Sequence, residues 1–145
     1  MKEFASNDKA HFDYEILETI EAGLVLKGYE VKAIKSGRMV LRGSYAKIIS
    51  GQLMLVGASI APYQPANMPS DYDPDASRIL LIKKSEMKAL LDLHKSQGLT
   101  VIPLKVYEKK NHLKILLGIA RGKKKYDKRE TIKKREFQRK EKQEY

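Results

Sequence analysis

The spacing of apolar and polar residues along this chain is typical of short β-strands. After a short polar leader, residues 12–17 alternate in the manner of a half-buried strand, and residues 22–27 are more continuously apolar. Residues 45–57 contain two apolar runs that are separated by a turn near Ser50 and Gly51, and they therefore predict a hairpin. The first half of the chain is thus expected to be rich in strands.

The second half of the chain shows the same pattern. Residues 78–82 predict another strand, and the runs 100–107 and 112–119 predict a second hairpin that turns at residues 109–111. Pro103 lies inside the first of these runs. Because proline has no N–H to donate to a strand ladder, it indicates an edge strand or a bulge at this point.

Two segments follow helical rather than strand spacing. Residues 30–37 predict a short helix that stops at Gly37. Ser85 is predicted to cap a second, amphipathic helix that ends at Gly98. A loop rich in proline and aspartate, residues 62–76, lies between the two halves of the chain.

Together these elements predict a mainly β fold with short flanking helices, arranged as a small closed or half-closed β-barrel of the OB type. A β-sandwich is the structural alternative. We expect residues 1–122 to form the barrel with its leader, and residues 123–145 to form a basic C-terminal tail. The tail has too few large apolar residues to bury a core, so it should be disordered alone and become helical against a partner.

Positive charge is concentrated near the C-terminus. Residues 1–104 contain 13 Lys and Arg against 12 Asp and Glu, whereas residues 105–145 contain 16 against 6. Charge that is segregated in this way favours a polyanionic partner. Basic residues also lie beside Tyr107 and Tyr126, whose rings can stack on bases. The pattern predicts RNA or DNA binding, with a solvated lysine-rich tail as the alternative.

The sequence gives little support for an enzyme. The chain has no cysteine, which excludes disulfides and thiolate zinc sites, and its three histidines lack metal-binding spacing. Gly118 and Gly122 are separated by three residues, whereas a Walker A loop requires four. We therefore expect no catalysis, no cofactor and no metal ion.

Nothing in the sequence predicts a membrane segment. The N-terminal residues lack the apolar run of about 7 to 15 residues that marks a secretory signal, and no run of about 18 apolar residues occurs anywhere. The absence of cysteine suits a reducing compartment. The expectation is a cytoplasmic protein, with a monomer as the default state.

The order of several short motifs resembles the SsrA-binding protein (SmpB) family from about residue 7 to residue 137. The most specific signature is Arg-Gly-Lys-Lys at residues 121–124, followed by Asp-Lys-Arg at residues 127–129. Glu-Ala-Gly at residues 21–23 and Glu-Val-Lys at residues 30–32 lie upstream at the expected distances. The resemblance implies an OB-type barrel that binds the tRNA-like domain of tmRNA and delivers it to stalled ribosomes for trans-translation.

The resemblance also implies which residues contact RNA. The implied tmRNA contacts are Asn7, Glu21, Lys32, Leu81, Arg121, Lys123 and Lys124. Asparagine can bind base edges or sugar hydroxyls, the cations can neutralise phosphates, and leucine can pack on an unstacked base. A carboxylate near phosphates is repelled, so Glu21 is expected to accept hydrogen bonds from exocyclic amines, to orient a lysine, or to form a salt bridge that shapes the site.

The family's basic tail is implied to enter the decoding centre and the empty mRNA channel of the ribosome, and to become helical there. The implied ribosome-contacting residues are Asp127, Lys128, Arg129, Ile132 and Lys133. Two features depart from the family pattern: Phe12 stands where a histidine is usual, and the tail ends at Tyr145, which is shorter than usual. The first change removes a polar contact but keeps a ring that can stack.

Two other functions remain open from the residues alone. A generic OB module would bind single-stranded nucleic acid or ordinary tRNA with little preference among sequences. An RNA-modifying enzyme or nuclease would need a titratable cluster or a metal ion in the folded protein. A preference for tmRNA over other RNAs would favour the adaptor function over a generic OB module. Turnover of RNA would favour an enzyme.

Overall fold

The computed structural model describes residues 2–123, except for the side chains of residue 67 and residues 94–97. The strands in this part of the chain are β1 (Lys2–Ser6), β2 (Tyr14–Leu24), β3 (Met39–Val40), β4 (Tyr45–Ile49), β5 (Gln52–Val56), β6 (Ser59–Ile60), β7 (Arg78–Leu81), β8 (Thr100–Lys109) and β9 (His112–Gly122). The helices are α1 (Ala10–Asp13), α2 (Gly28–Lys35) and α3 (Lys84–Gln97), with a 3-10 turn at Pro65–Asn67.

Six antiparallel strands close into a barrel. Their order is β8-β4-β5-β7-β2-β9, and β9 pairs again with β8 to complete the ring. Strand β1 pairs with the part of β8 that continues beyond β4, while β3 and β6 form a separate two-stranded sheet. The prediction of a mainly β fold with a small barrel is confirmed, and the alternative of a β-sandwich is wrong.

The interior of the barrel holds the main core. Leu55 of β5, Leu80 of β7, and Ile115 and Leu117 of β9 are completely buried. Helix α2 adds Ala33 and Ile34 to this core, and α3 adds Leu90. Burial of this apolar surface, at about 25 cal/mol per Å², is the main driving force that holds both helices on the barrel.

Both predicted hairpins are present with two-residue turns. Ser50 and Gly51 have φ angles of 50° and 76°, and Lys110 and Asn111 have φ angles of 50° and 64°. Positive φ at both turn positions matches the right-handed twist of the flanking strands, which is why such turns are favoured in hairpins. The predicted irregularity at Pro103 is also confirmed, because the β8–β9 register shifts between Pro103 and Lys105.

The N-terminal residues differ from their prediction. The polar leader contains a strand, β1, because its backbone pairs with β8 from Lys2 opposite Glu108 to Ser6 opposite Lys105. Alternation of side chains could not reveal this strand, since main-chain hydrogen bonds rather than apolar burial hold most of it in place. Phe4 alone supplies a large apolar side chain to the core.

Two further element boundaries also differ from their predictions. The separate strands expected at residues 12–17 and 22–27 are one strand, β2, in which a bulge between Ile16 and Glu18 resets the alternation. Ser85 does not cap α3, which begins one residue earlier. The Glu86 carboxylate instead accepts a hydrogen bond of 3.1 Å from the backbone N–H of Lys83.

A second, smaller apolar cluster lies where α1 packs beside β8 and β9. It contains Ala10, Ile102, Leu104 and Ala120, with Tyr14, Ile16 and Leu116 packed against it. Gly118 lies beside this cluster, and a Cβ atom there would lie 3.2 Å from Ile16 and 3.3 Å from Leu104. The small residues at positions 118 and 120 therefore serve packing.

A buried ion pair joins α2 to β7 and to the loop that precedes β7. Arg78 is 4% exposed, and its Nε and Nη2 atoms lie 3.0 and 2.9 Å from Oε2 of Glu30. Nη1 of the same guanidinium donates to the carbonyls of Ala58, Pro74 and Ala76. Glu30 also accepts from the backbone N–H of Lys27, so one carboxylate fixes the start of α2 as well.

Candidate nucleic-acid interface

One of the exposed residues among the predicted contacts is apolar. Leu81, on β7, is 56% exposed and borders a depression of about 300 Å³ between the end of β2, helix α2 and the β8–β9 turn. Its lining includes Gly23, Val31, Lys35, His112 and Lys114. An exposed leucine beside cations is a suitable support for an unstacked base whose phosphates are neutralised nearby.

The position of this leucine follows from the strand register. Gly23 of β2 lies opposite both Leu81 of β7 and Lys114 of β9. Because successive side chains alternate between the two faces of a strand, this row places Leu81 and Lys114 on either side of a glycine that has no side chain. The row therefore leaves a shallow gap on the barrel wall between an apolar group and a cation.

Glu21 lies two residues before Gly23 on the same strand. Its Oε2 atom accepts a hydrogen bond from the Tyr107 hydroxyl, and both carboxylate oxygens lie 3.4 Å from Nζ of Lys109. The Tyr107 hydrogen bond is the largest cause that lowers the pKa of Glu21, and Lys109 and Lys114 act in the same direction. The predicted salt bridge and oriented lysine are therefore both present, and the carboxylate is an ionised acceptor.

Lys114 was missed by the sequence analysis. It follows His112 in a strand with the apolar pattern of a barrel wall, and nothing in its local sequence separates it from other surface lysines. The signal is three-dimensional: Lys114 lines the same depression as Leu81, and its charge acts on Glu21.

Helix α2 supplies further positive charge. Lys32 is exposed on this helix, and Lys35 lines the depression and lies 3.6 Å from Glu108. The buried contact between Glu30 and Arg78 fixes the helix in place. We define the β7–α2 surface as Glu21, Lys32, Lys35, Leu81 and Lys114.

The other described contact residues lie at the opposite end of the barrel. Arg121 is exposed at the end of β9, and Lys123 donates from Nζ to the carbonyl of His11 at 2.8 Å and from its backbone N–H to the carbonyl of Asp13 at 2.9 Å. Lys9 and Arg42 line a groove close to these residues, together with Tyr45, which is 42% exposed. We define the β9-end surface as Lys9, Arg42, Tyr45, Arg121 and Lys123.

Asn7 has a structural role at this end. It is 6% exposed, its Nδ2 donates to the carbonyl of Pro103 at 3.0 Å, and its backbone N–H donates to the carbonyl of Leu104 at 2.8 Å. The amide nitrogen is therefore used inside the protein and not for binding a base edge. These contacts fix the turn that carries Lys9.

The predicted tmRNA contacts thus form two groups and not one. Lys114 and Arg121 lie seven residues apart on β9, which at about 3.3 Å per residue is roughly 23 Å. Lys124 lies outside the described residues, and so do the predicted ribosome contacts Asp127, Lys128, Arg129, Ile132 and Lys133.

Two other classes of site are absent from residues 2–123. No group of three or more His, Asp or Glu side chains in this part of the chain is placed to hold a metal ion. No helix within the same residues is both long and apolar enough to cross a membrane.

Comparison with known proteins identifies the family. The model of the SmpB protein family matches residues 4–145. The chain belongs to the SmpB family. The SsrA-binding protein of Streptococcus agalactiae serotype III (strain NEM316) is 48% identical over 132 residues, which cover 91% of this chain and 84% of that protein. The SsrA-binding protein of Geobacillus kaustophilus (strain HTA426) is 49% identical over 138 residues, which cover 95% of this chain and 88% of the relative.

The fold of the SmpB family is also seen in a solved structure. A chain in the structure described as "tmRNA-SmpB: a journey to the center of the bacterial ribosome" is 42% identical to this chain, with a TM-score of 0.66. The match covers 88% of this chain and 92% of the other. The family resemblance inferred from short motifs is therefore confirmed over most of this chain, including the barrel that carries both surfaces.

Proposed function

We propose that this protein is an RNA-binding adaptor that binds the tRNA-like domain of tmRNA and delivers it to stalled ribosomes for trans-translation. The observation that carries the proposal is the β7–α2 surface, where an exposed leucine lies beside Lys35 and Lys114, with an ionised glutamate next to Lys114, on a chain of the SmpB family. This combination suits folded RNA, which offers unstacked bases and closely spaced phosphates at the same place.

The chemistry of this surface supports binding and not catalysis. Leu81 supplies an apolar support, Lys32, Lys35 and Lys114 supply cations for phosphates, and Glu21 supplies an acceptor for N–H groups. We propose a protein without enzymatic activity that acts in the cytoplasm as a monomer.

The proposal assigns the two parts of the chain different partners. Residues 1–122 bind tmRNA through the barrel, with Lys123 and Lys124 at the start of the tail as further tmRNA contacts, and the rest of the tail of residues 123–145 contacts the decoding centre and the mRNA channel. A basic segment that is helical only in the channel can occupy it only when mRNA is absent, so the tail would sense the stalled state.

A competition gel shift tests the proposal. The labelled tRNA-like domain of tmRNA is titrated with the full chain at several salt concentrations, with an ordinary tRNA and a random RNA of equal length as competitors. We expect a preference for the tRNA-like domain that persists at about 0.15 M salt, because contacts to bases and shape add to the salt-sensitive phosphate term. Equal binding of all three RNAs, lost as salt rises, would instead support a generic OB module.

A further inference from the structure

We propose that Tyr107 is a positioning residue that acts through Glu21 and makes the β7–α2 surface accept the N–H groups of an exposed nucleobase in preference to phosphate. The inference rests on the proposed function, since it requires RNA at this surface. It adds a residue that belongs to neither group of predicted contacts and that is itself 3% exposed.

The burial of Tyr107 leaves its hydroxyl to be explained. Its neighbour Val106 is fully buried in the main core, so Tyr107 points to the other side of the barrel wall. A phenylalanine would supply the same ring for packing and for the contact with Lys105, whose Nζ lies 5.7 Å from the ring centroid. A buried hydroxyl requires a partner, and here the partner is the partly exposed carboxylate of Glu21.

This hydrogen bond fixes a surface group to the rigid wall of the barrel. Tyr107 lies on β8 and Glu21 on β2, with β9 between them, so the bond spans two strand spacings. A glutamate on a protein surface normally keeps several rotamers, and ordering it on binding costs free energy. Tyr107 and Lys109 already hold both carboxylate oxygens of Glu21 in the free protein. Less side-chain entropy therefore remains to be lost when RNA binds.

The fixed carboxylate determines which ligand groups are accepted. An ionised carboxylate accepts hydrogen bonds but donates none, so it attracts amino and imino N–H groups and repels phosphate oxygens. Glu21 lies two residues from Gly23, the partner of Leu81, which places the carboxylate roughly 7 Å along the strand from the apolar support. A base that rests on Leu81 can therefore present an N–H edge to Glu21 while Lys114 and Lys35 neutralise its phosphates.

The test uses Tyr107→Phe in the full chain, which keeps the ring and removes only the hydroxyl. Affinity for the tRNA-like domain should fall about three- to tenfold, the size expected for loss of a typical hydrogen bond, while affinity for random RNA changes little. The ratio of the affinity for the tRNA-like domain to the affinity for random RNA should therefore fall by about the same factor. Tyr63→Phe removes the hydroxyl of an exposed tyrosine that belongs to neither surface and serves as the matched control.

A pH series separates positioning from a structural role. Binding that needs the ionised carboxylate is present above the pKa of Glu21 and is lost as the pH falls through it. Tyr107 lowers this pKa, so Tyr107→Phe should move the acid loss of binding to higher pH. The charged groups that face Glu21 are Lys109 and Lys114, and His112 lines the adjoining depression at the β8–β9 turn.

The Glu21→Ala background completes the test. If Tyr107 acts through Glu21, adding Tyr107→Phe to Glu21→Ala causes no further loss of affinity. A loss that persists in this background, unchanged affinity in Tyr107→Phe, or an unmoved pH profile would overturn the inference. The wild type separates the two proposals: if it shows no preference for the tRNA-like domain, the proposed function fails, whereas normal preference with an inert Tyr107→Phe refutes only the positioning role.

Discussion

At the scale of single residues, the motifs that identify the family have two separate duties. Ala22 and Glu30 are buried and hold the fold together. Arg121 and Lys32 belong to the same motifs but are exposed. A motif shared with a family is thus not by itself a list of RNA contacts, and burial decides which of its members can bind.

Gly118→Ala should lower the free energy of unfolding by about 1 to 3 kcal/mol, the usual cost of an extra methyl group in a packed site. The reason is the close approach of Ile16 and Leu104, at 3.2 and 3.3 Å from the position of the new Cβ. Urea unfolding followed by circular dichroism measures the change. Gly122→Ala is the control, because no atom lies within 4 Å of its Cβ position. Equal stabilities of the two variants would contradict this packing role.

At the scale of elements, one ion pair fixes the helix that supplies part of the interface. Arg78→Leu should cost about 3 to 5 kcal/mol of stability, because it leaves the Glu30 carboxylate buried without its partner. Adding Glu30→Gln removes that charge and should restore part of the loss. The comparison is made by urea unfolding, with Arg38→Leu as an exposed control that changes stability by less than about 0.5 kcal/mol. A double variant no more stable than Arg78→Leu would show that the unpaired charge is not the cause.

The elements also show what could be predicted from the sequence. The hairpins were predicted correctly, because Ser50-Gly51 and Lys110-Asn111 are local signals. Strand β1 was missed, because its partner in β8 lies about 100 residues away and no local pattern encodes that pairing. Strand β2 was divided in two, because its bulge interrupts the alternation that marks a strand.

The same limit applies to the candidate site. Glu21 and Leu81 were found through a resemblance to a family, and the register explains why they lie near each other. Lys114 was not found, and Tyr107 was predicted as a ring that can stack on bases, which its exposure of only 3% contradicts. A lysine and a tyrosine in apolar strands are ordinary residues until the barrel closes. Closure of the ring by β8 and β9 brings both of them to Glu21, so this part of the site is a property of the tertiary structure.

At the scale of the whole molecule, the barrel separates its two cationic surfaces by roughly 23 Å along β9. A folded RNA is large enough to contact both at once, and two sites so far apart should contribute independently to binding. The alternative is that the tRNA-like domain contacts the β7–α2 surface alone, which would leave the β9-end surface and the adjoining tail free for the ribosome.

Salt dependence distinguishes these two arrangements. One variant carries Lys35→Ala with Lys114→Ala, another carries Arg121→Ala with Lys124→Ala, and a third combines all four changes. Each lost phosphate contact should reduce the slope of log K against log salt by about 0.7 to 0.9, so simultaneous contact predicts a loss of about 1.4 to 1.8 for each pair and additive losses in the combined variant. Lys88→Ala, an exposed lysine on α3, should leave the slope unchanged. If only the first pair alters the slope, Arg121 and Lys124 do not contact the tRNA-like domain, and the β9-end surface faces another partner.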